Sequence, residues 1–212
     1  MKMMQVESRL WILAVGLLLM AGATSTQAQR SGPYLKVDGG VNLMPDNDVR
    51  VGPNNGTLSL DAGYRVDAVV GYDVGRWLAF EVEGGYAENS VDKLTSAGLP
   101  LSGHSNSSLR QIPLLANVVV RYENRSDWVP YIGAGAGGIF SSLKISGTSE
   151  DDTVFAWQAK AGVIYKIDEN AWLDLNYKLL MAGEQAYQFG SEPLKTDQML
   201  NHFFGLSVIW KF

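Results

Sequence analysis

The chain has no cysteine and only two histidines in 212 residues. The first absence removes disulfides, thiolate metal sites and cysteine nucleophiles together. The second leaves too few soft ligands for a transition-metal centre. Charge is scarce as well: Asp, Glu, Lys and Arg are 18% of the chain, where about a quarter is usual. The balance is mildly acidic, 17 Lys and Arg against 22 Asp and Glu for a formal net charge of −5. That sign argues against an electrostatic nucleic-acid binder. After the first two dozen residues no apolar run reaches the roughly 20 residues that a membrane-spanning helix needs. What is abundant is glycine, with 23 residues, and aromatics, with 6 Trp, 9 Tyr and 7 Phe. A low-charge, glycine- and aromatic-rich chain of one-domain length points to strands that are apolar on one side only.

The N-terminus reads as an address. Lys2 and Arg9 precede an uncharged run from Leu10 to Ala23, and Thr26-Gln27-Ala28 places small residues at both cleavage-specifying positions. Positive flank, short apolar core and small residues, in that order, describe a secretory signal peptide. The expectation is a signal peptide over 1–28, with Ala23 as the alternative cleavage point, and a mature domain over 29–212. Cleavage after Ala28 removes Lys2, Glu7 and Arg9, which moves the net charge from −5 to −6.

From Pro33 onward the apolar period is two, the period of strands. Phe204, Leu206, Val208, Trp210 and Phe212 share one face, with Gly205, Ser207 and Lys211 on the other. The same alternation recurs around Val37, Val66, Val82, Val118, Val163 and Leu175, and more weakly over the glycine-rich run from Val129 to Phe140. Eight strands of about ten residues result, the length of a tilted transmembrane strand. Short turns near 73–76, 123–127 and 168–170 alternate with long connections near 44–57, 87–108, 141–152 and 181–200. The predicted fold is all-β: an eight-stranded antiparallel up-and-down transmembrane β-barrel with both termini on the short-turn side.

Aromatic pairs bracket each short turn: Tyr72 and Trp77, Tyr122 and Trp128, Tyr165 and Trp172. With Tyr34 at the start and Trp210 at the end they form a predicted periplasmic girdle, because amphipathic rings favour the headgroup level. A soluble lipocalin-type barrel is the competing architecture, with apolar residues inside. The charges decide between the two. The polar face carries Lys36, Arg65, Arg121, Lys160 and Lys178 against Asp38, Asp67, Glu81, Glu83 and Asp174. Equal numbers of each sign suit a narrow lumen, where an unpaired ion is costly.

Gly71-Tyr72-Asp73 before a turn and Trp77, the run from Pro130 to Gly135, Lys160-Ala161-Gly162-Val163 and the terminal alternation together resemble one group of proteins. These are the small outer-membrane β-barrels of the OmpA-like and opacity-protein-like family, and the resemblance covers roughly 33–212. It implies residence in the cell outer membrane among lipid and lipopolysaccharide. It also implies that Phe204, Leu206, Trp210 and Phe212 act as the signal read by the barrel-assembly machinery.

Chemistry is sparse. His104-Ser105 lies in a long loop, but neighbours on a strand point to opposite faces and do not meet as base and nucleophile. Asp46-Asn47-Asp48 and Glu150-Asp151-Asp152 offer oxygen ligands for hard cations but lack calcium-loop spacing. No cofactor, metal site or catalytic residue is expected. Eight strands enclose an interior that side chains nearly fill. The expected function is therefore non-enzymatic: envelope integrity, with outer loops that meet surfaces or an extracellular ligand of unknown identity. The alternatives are a narrow porin-like conduit or pocket for small hydrophobic molecules and, third, a lipid A-modifying barrel.

Overall fold

The structure, a computed structural model, describes residues 31–212 apart from 52, 53, 97, 98, 101–106, 123, 146, 147, 190, 191 and 197. The predicted signal peptide and His104 lie outside the described residues. Strand β1 (Gly32–Leu43) runs on into β2 (Asn47–Val51), and β3 (Asn54–Leu60) returns into β4 (Gly63–Val74). Strand β5 (Leu78–Ser96) carries the two-residue β6 (Leu99–Pro100) beside its tip, ahead of β7 (Ser108–Arg121). Strands β8 (Trp128–Ile145) and β9 (Thr148–Lys166) form a long hairpin. Strand β10 (Ala171–Ala182) leads into β11 (Gln185–Phe189), and β12 (Glu192–Thr196) returns into β13 (Met199–Lys211).

Eight of these strands close a ring in the order β1-β4-β5-β7-β8-β9-β10-β13, every neighbour antiparallel, with β13 pairing back onto β1 from Tyr34↔Lys211 to Leu43↔His202. Closure removes the exposed edges that an open sheet would present to lipid. Alternation sets the faces. In β1, Lys36 and Asp38 are buried while Val37 is 60% exposed, and in β13 Ser207 is buried between exposed Leu206 and Val208. Apolar side chains point out and charged ones in, which is the arrangement of a membrane barrel and the reverse of a lipocalin. The first short turn needs a left-handed backbone at Gly75, whose φ is +77°. Glycine adopts that conformation at no steric cost.

The connections predicted at 87–108 and 141–152 are largely strand. Strands β5, β8 and β9 are 19, 18 and 19 residues long, against 12 for β1, β4 and β10, and project beyond the membrane. Above the shorter strands the hairpin segments continue the wall: β3 pairs with β5, β2 with β3, β12 with β2 and β11 with β12. Polarity inverts where the membrane ends. Along β7 the outward residues pass from Val120, Val118 and Leu114 to Arg110 and Ser108, while the inward ones pass from Arg121 and Asn117 to Leu115 and Leu109. Inside the outer half, Met44, Leu58, Leu109, Leu115, Ile139, Leu143, Leu180 and Met199 pack into one buried cluster.

The outer wall has a seam. The β9–β10 ladder ends at Ala182↔Ala156, followed by a bond from Gly183 N–H to the Phe155 carbonyl at 3.0 Å. Beyond it β11 lies beside β9 with no ladder among the described residues, and the Asp152 Oδ2 accepts the Ala186 N–H at 2.8 Å.

Candidate functional site

The interior of the membrane-spanning half is the densest concentration of chemistry among the described residues. Its inward positions come from all eight strands, because each strand sends every second side chain to the lumen. Lys36 bonds Asp174 at 2.5 Å. Arg65 bonds Asp67 at 2.8 Å and Glu83 at 2.7 Å. Lys178 reaches Asp38, Asp67 and Glu83 at 2.9, 2.6 and 2.9 Å. Lys160 pairs with Glu81 and lies 3.5 Å from Glu83. Asn117 and Gln158 donate to the second Glu83 oxygen at 3.1 and 3.2 Å, and Asn176 links Asp38 to Ser207. All ten charged residues expected to face the lumen do so, each within an ion pair.

One pair lies outside the predicted network. The sequence pattern puts Asp73 in a turn, but in the structure it is the last inward residue of β4. Arg121 bonds it, and Lys211 also reaches it at 2.5 Å. With Asp73 the buried acids among the described residues number six against five buried bases, and Lys211 at the periplasmic mouth supplies the sixth positive charge. The neutral total matters because a lone ion in so dry a space would cost several kcal/mol, on the order of that for any buried unpaired charge.

The girdle needs two corrections. Tyr34 is fully buried inside the barrel and donates its hydroxyl to Glu81 at 2.7 Å, and Trp172 is buried with its indole N–H on the Asp168 carbonyl at 3.1 Å. Parity is the reason: Tyr34 shares its face with Lys36, and Trp172 shares its face with Asp174, so both point inward. Tyr72, Trp77, Tyr122, Trp128, Tyr165 and Trp210 do face outward, and so do Phe204, Leu206 and Phe212. Tyr34 fits only because Gly71, opposite it in register, has no side chain; a Cβ there would overlap the ring. The Tyr131 ring lies over Gly162 in the same way. Tyr34, Tyr131, Val129, Ile164, Trp172 and Ile209 form an apolar floor at the periplasmic end.

Below that floor a cleft of about 720 Å³ opens to the periplasm between the β9–β10 turn and the chain end. The Lys211 ammonium sits 3.8 Å from the centre of the Trp172 ring and that of Lys166 lies at 5.4 Å. Two cations on its faces pin the indole across the mouth. Asp168 accepts the N–H groups of Asn170 and Ala171, and these bonds hold its carboxyl below the usual range. At the outer boundary Arg110 bonds Glu88 at 3.1 Å, and Tyr64 and Tyr86 donate to the same carboxylate. His202 faces outward and shares a 2.8 Å hydrogen bond with Tyr177. Among the described residues no group of His, Asp and Glu is arranged to hold a metal ion.

A closed antiparallel ring, apolar outside and ion-paired inside, defines a transmembrane β-barrel. The sequence matches the outer membrane protein beta-barrel domain family over residues 13–212, and the chain belongs to that family. Its place is the outer membrane. It is 26% identical over 238 residues to an outer membrane protein of Gluconacetobacter diazotrophicus, covering 95% of this chain and 63% of that one. The chain therefore spans less than two thirds of that relative's length. In fold it is similar to Neisserial surface protein A, with a TM-score of 0.58 at 16% identity, covering 86% of this chain and 99% of that one. It is similar in the same degree to outer membrane protein OprG from Pseudomonas aeruginosa, with a TM-score of 0.58, 13% identity and coverages of 88% and 99%.

Proposed function

We propose that the protein is a closed, non-enzymatic outer-membrane barrel that braces the envelope and presents a rigid outer β-structure to surfaces or ligands outside the cell. The observation that carries this reading is the interior. A charge-paired layer crosses the lumen, an aromatic floor lies on its periplasmic side, and a packed apolar cluster fills the outer side. An aqueous channel would need a continuous polar path, and the aromatic floor and the outer apolar cluster, with only neutral polar groups such as Gln111 and Asn201 beside it, oppose an ion-conducting one. The expected partners are outer-membrane lipid and lipopolysaccharide along the wall, an extracellular ligand at the outer rim, and the assembly machinery during insertion. The outward exposure of Phe204, Leu206, Trp210 and Phe212 supports the last of these, since a recognition signal must be reachable.

Planar-bilayer recording tests the closed state. Single-channel conductance near zero at moderate voltage is the expected result, and steady ion-selective steps would contradict it. A second reading takes the outer apolar cluster as a pocket for small hydrophobic molecules. Its support is that this half of the lumen is lined by Leu109, Leu115, Ile139, Leu143 and Leu180 rather than by charge. Uptake of an apolar tracer into proteoliposomes without ion conductance separates the two.

A further inference from the structure

The lipid-facing wall is not uniformly convex. Between β4, β5 and β7 it carries a groove of about 330 Å³ walled by Val70, Tyr72, Phe80, Val82, Ala116 and Val118. Gly71, Glu81 and Asn117 belong to the inward face, so they contribute main chain to its floor. The depression arises where the short Ala116 stands opposite Val82 in register, beside the row of Tyr72, Phe80 and Val118. An apolar hollow at this level faces hydrocarbon, so whatever fills it is a chain.

A charge stands beyond the periplasmic end of the groove, outside its lining. Arg76, exposed in the first periplasmic turn, lies four residues below Phe80 along the chain into β5. Strand β5 begins at Leu78, so only the two steps from Leu78 to Phe80 run at strand rise, about 7 Å, which keeps the groove in the periplasmic half of the roughly 30 Å hydrocarbon core. The guanidinium therefore stands at headgroup level when the groove lies in the periplasmic leaflet. It is open to a ligand: the neighbouring acid of the strand, Asp73, is committed to Arg121 and Lys211. Trp77 beside it is 59% exposed, as a ring at the interface should be.

We propose that this groove and Arg76 form a binding site for one anionic glycerophospholipid of the periplasmic leaflet, its acyl chain over Ala116 and its phosphate on Arg76. The pairing is chemically matched at both ends, because a planar guanidinium takes phosphate oxygens in a bidentate way.

Native mass spectrometry of the folded barrel, released from micelles doped with phosphatidylglycerol, phosphatidylcholine or lipid A, tests the site. The expected result is a single phosphatidylglycerol adduct that survives energies at which phosphatidylcholine is stripped. Arg76→Glu should lower its retention roughly tenfold, the worth of a charge-assisted hydrogen bond. Ala116→Trp should fill the groove and abolish the adduct, whereas Ala161→Trp on the lipid face of β9 should leave it intact. Heat-dependent gel mobility confirms that each variant is folded, and Arg76→Glu carries the test if Ala116→Trp does not fold. Equal retention of the three lipids by the native barrel would overturn the site. So would an adduct indifferent to both groove variants, or a dimer in place of the adduct that Ala116→Trp dissociates.

Discussion

Glu83 receives Arg65 and Lys178 on one oxygen and Asn117 and Gln158 on the other, with Lys160 at 3.5 Å. Glu83→Gln keeps the shape and removes the charge, which strands cations in a dry interior. The expected loss is about 3–5 kcal/mol, read as an earlier midpoint in urea unfolding from lipid vesicles. A loss below about 1 kcal/mol, the range of exposed pairs, would show that the cluster is solvated. The charged residues are legible in the sequence because Lys36, Arg65, Glu81 and Lys178 interrupt an otherwise apolar alternation. Tyr34 and Trp172 are not, since their residue type suits the interface while their parity sends them to the lumen. Asp73 is hidden because a turn residue and the last inward residue of a strand look alike in sequence.

At the scale of strands, the membrane-spanning segments are legible and their outer continuations are not. A strand with one apolar and one polar face has the same alternation whichever face is inside, but the apolar set changes sides near Arg110. From Ser141 to Thr153 both hairpin arms are rich in Ser, Asp and Thr, so a polar outer face reads as a loop although the ladder continues through it. The seam between β9 and β11 lies in the same region. Among the described residues its wall is joined by the Asp152 carboxylate instead of a ladder, so Asp152→Ala should loosen it. The expected outcome is faster amide exchange in 184–189 with the β9–β10 ladder below Ala156 unchanged; equal exchange in both proteins would count against the latch.

For the whole molecule, the sparse overall charge of the composition is the sum of two unlike halves. The spanning half stores its ions inside and shows lipid an apolar wall; the outer half shows water a polar wall and stores its apolar groups inside. Fold class, strand number and orientation follow from period and turn length. The layered interior does not, because layering depends on how tilted strands bring distant residues such as Gln111 and Asn201 across the barrel, where they share a 2.8 Å hydrogen bond.

The inversion has a consequence for how the protein loses its structure. The spanning half depends on the bilayer, since thinning or removing lipid exposes Val37, Leu175 and Phe204 to water. The outer half keeps its apolar cluster sheltered by its own strands in either setting. On delipidation, amide protection should fall first along the periplasmic halves of β1, β10 and β13 and persist in the outer parts of β5, β8 and β9. Hydrogen exchange followed through a gradient of detergent strength would show the order, and simultaneous loss in both halves would contradict it. On this expectation the barrel unravels from the periplasm outward, and its extracellular end is the last part in order.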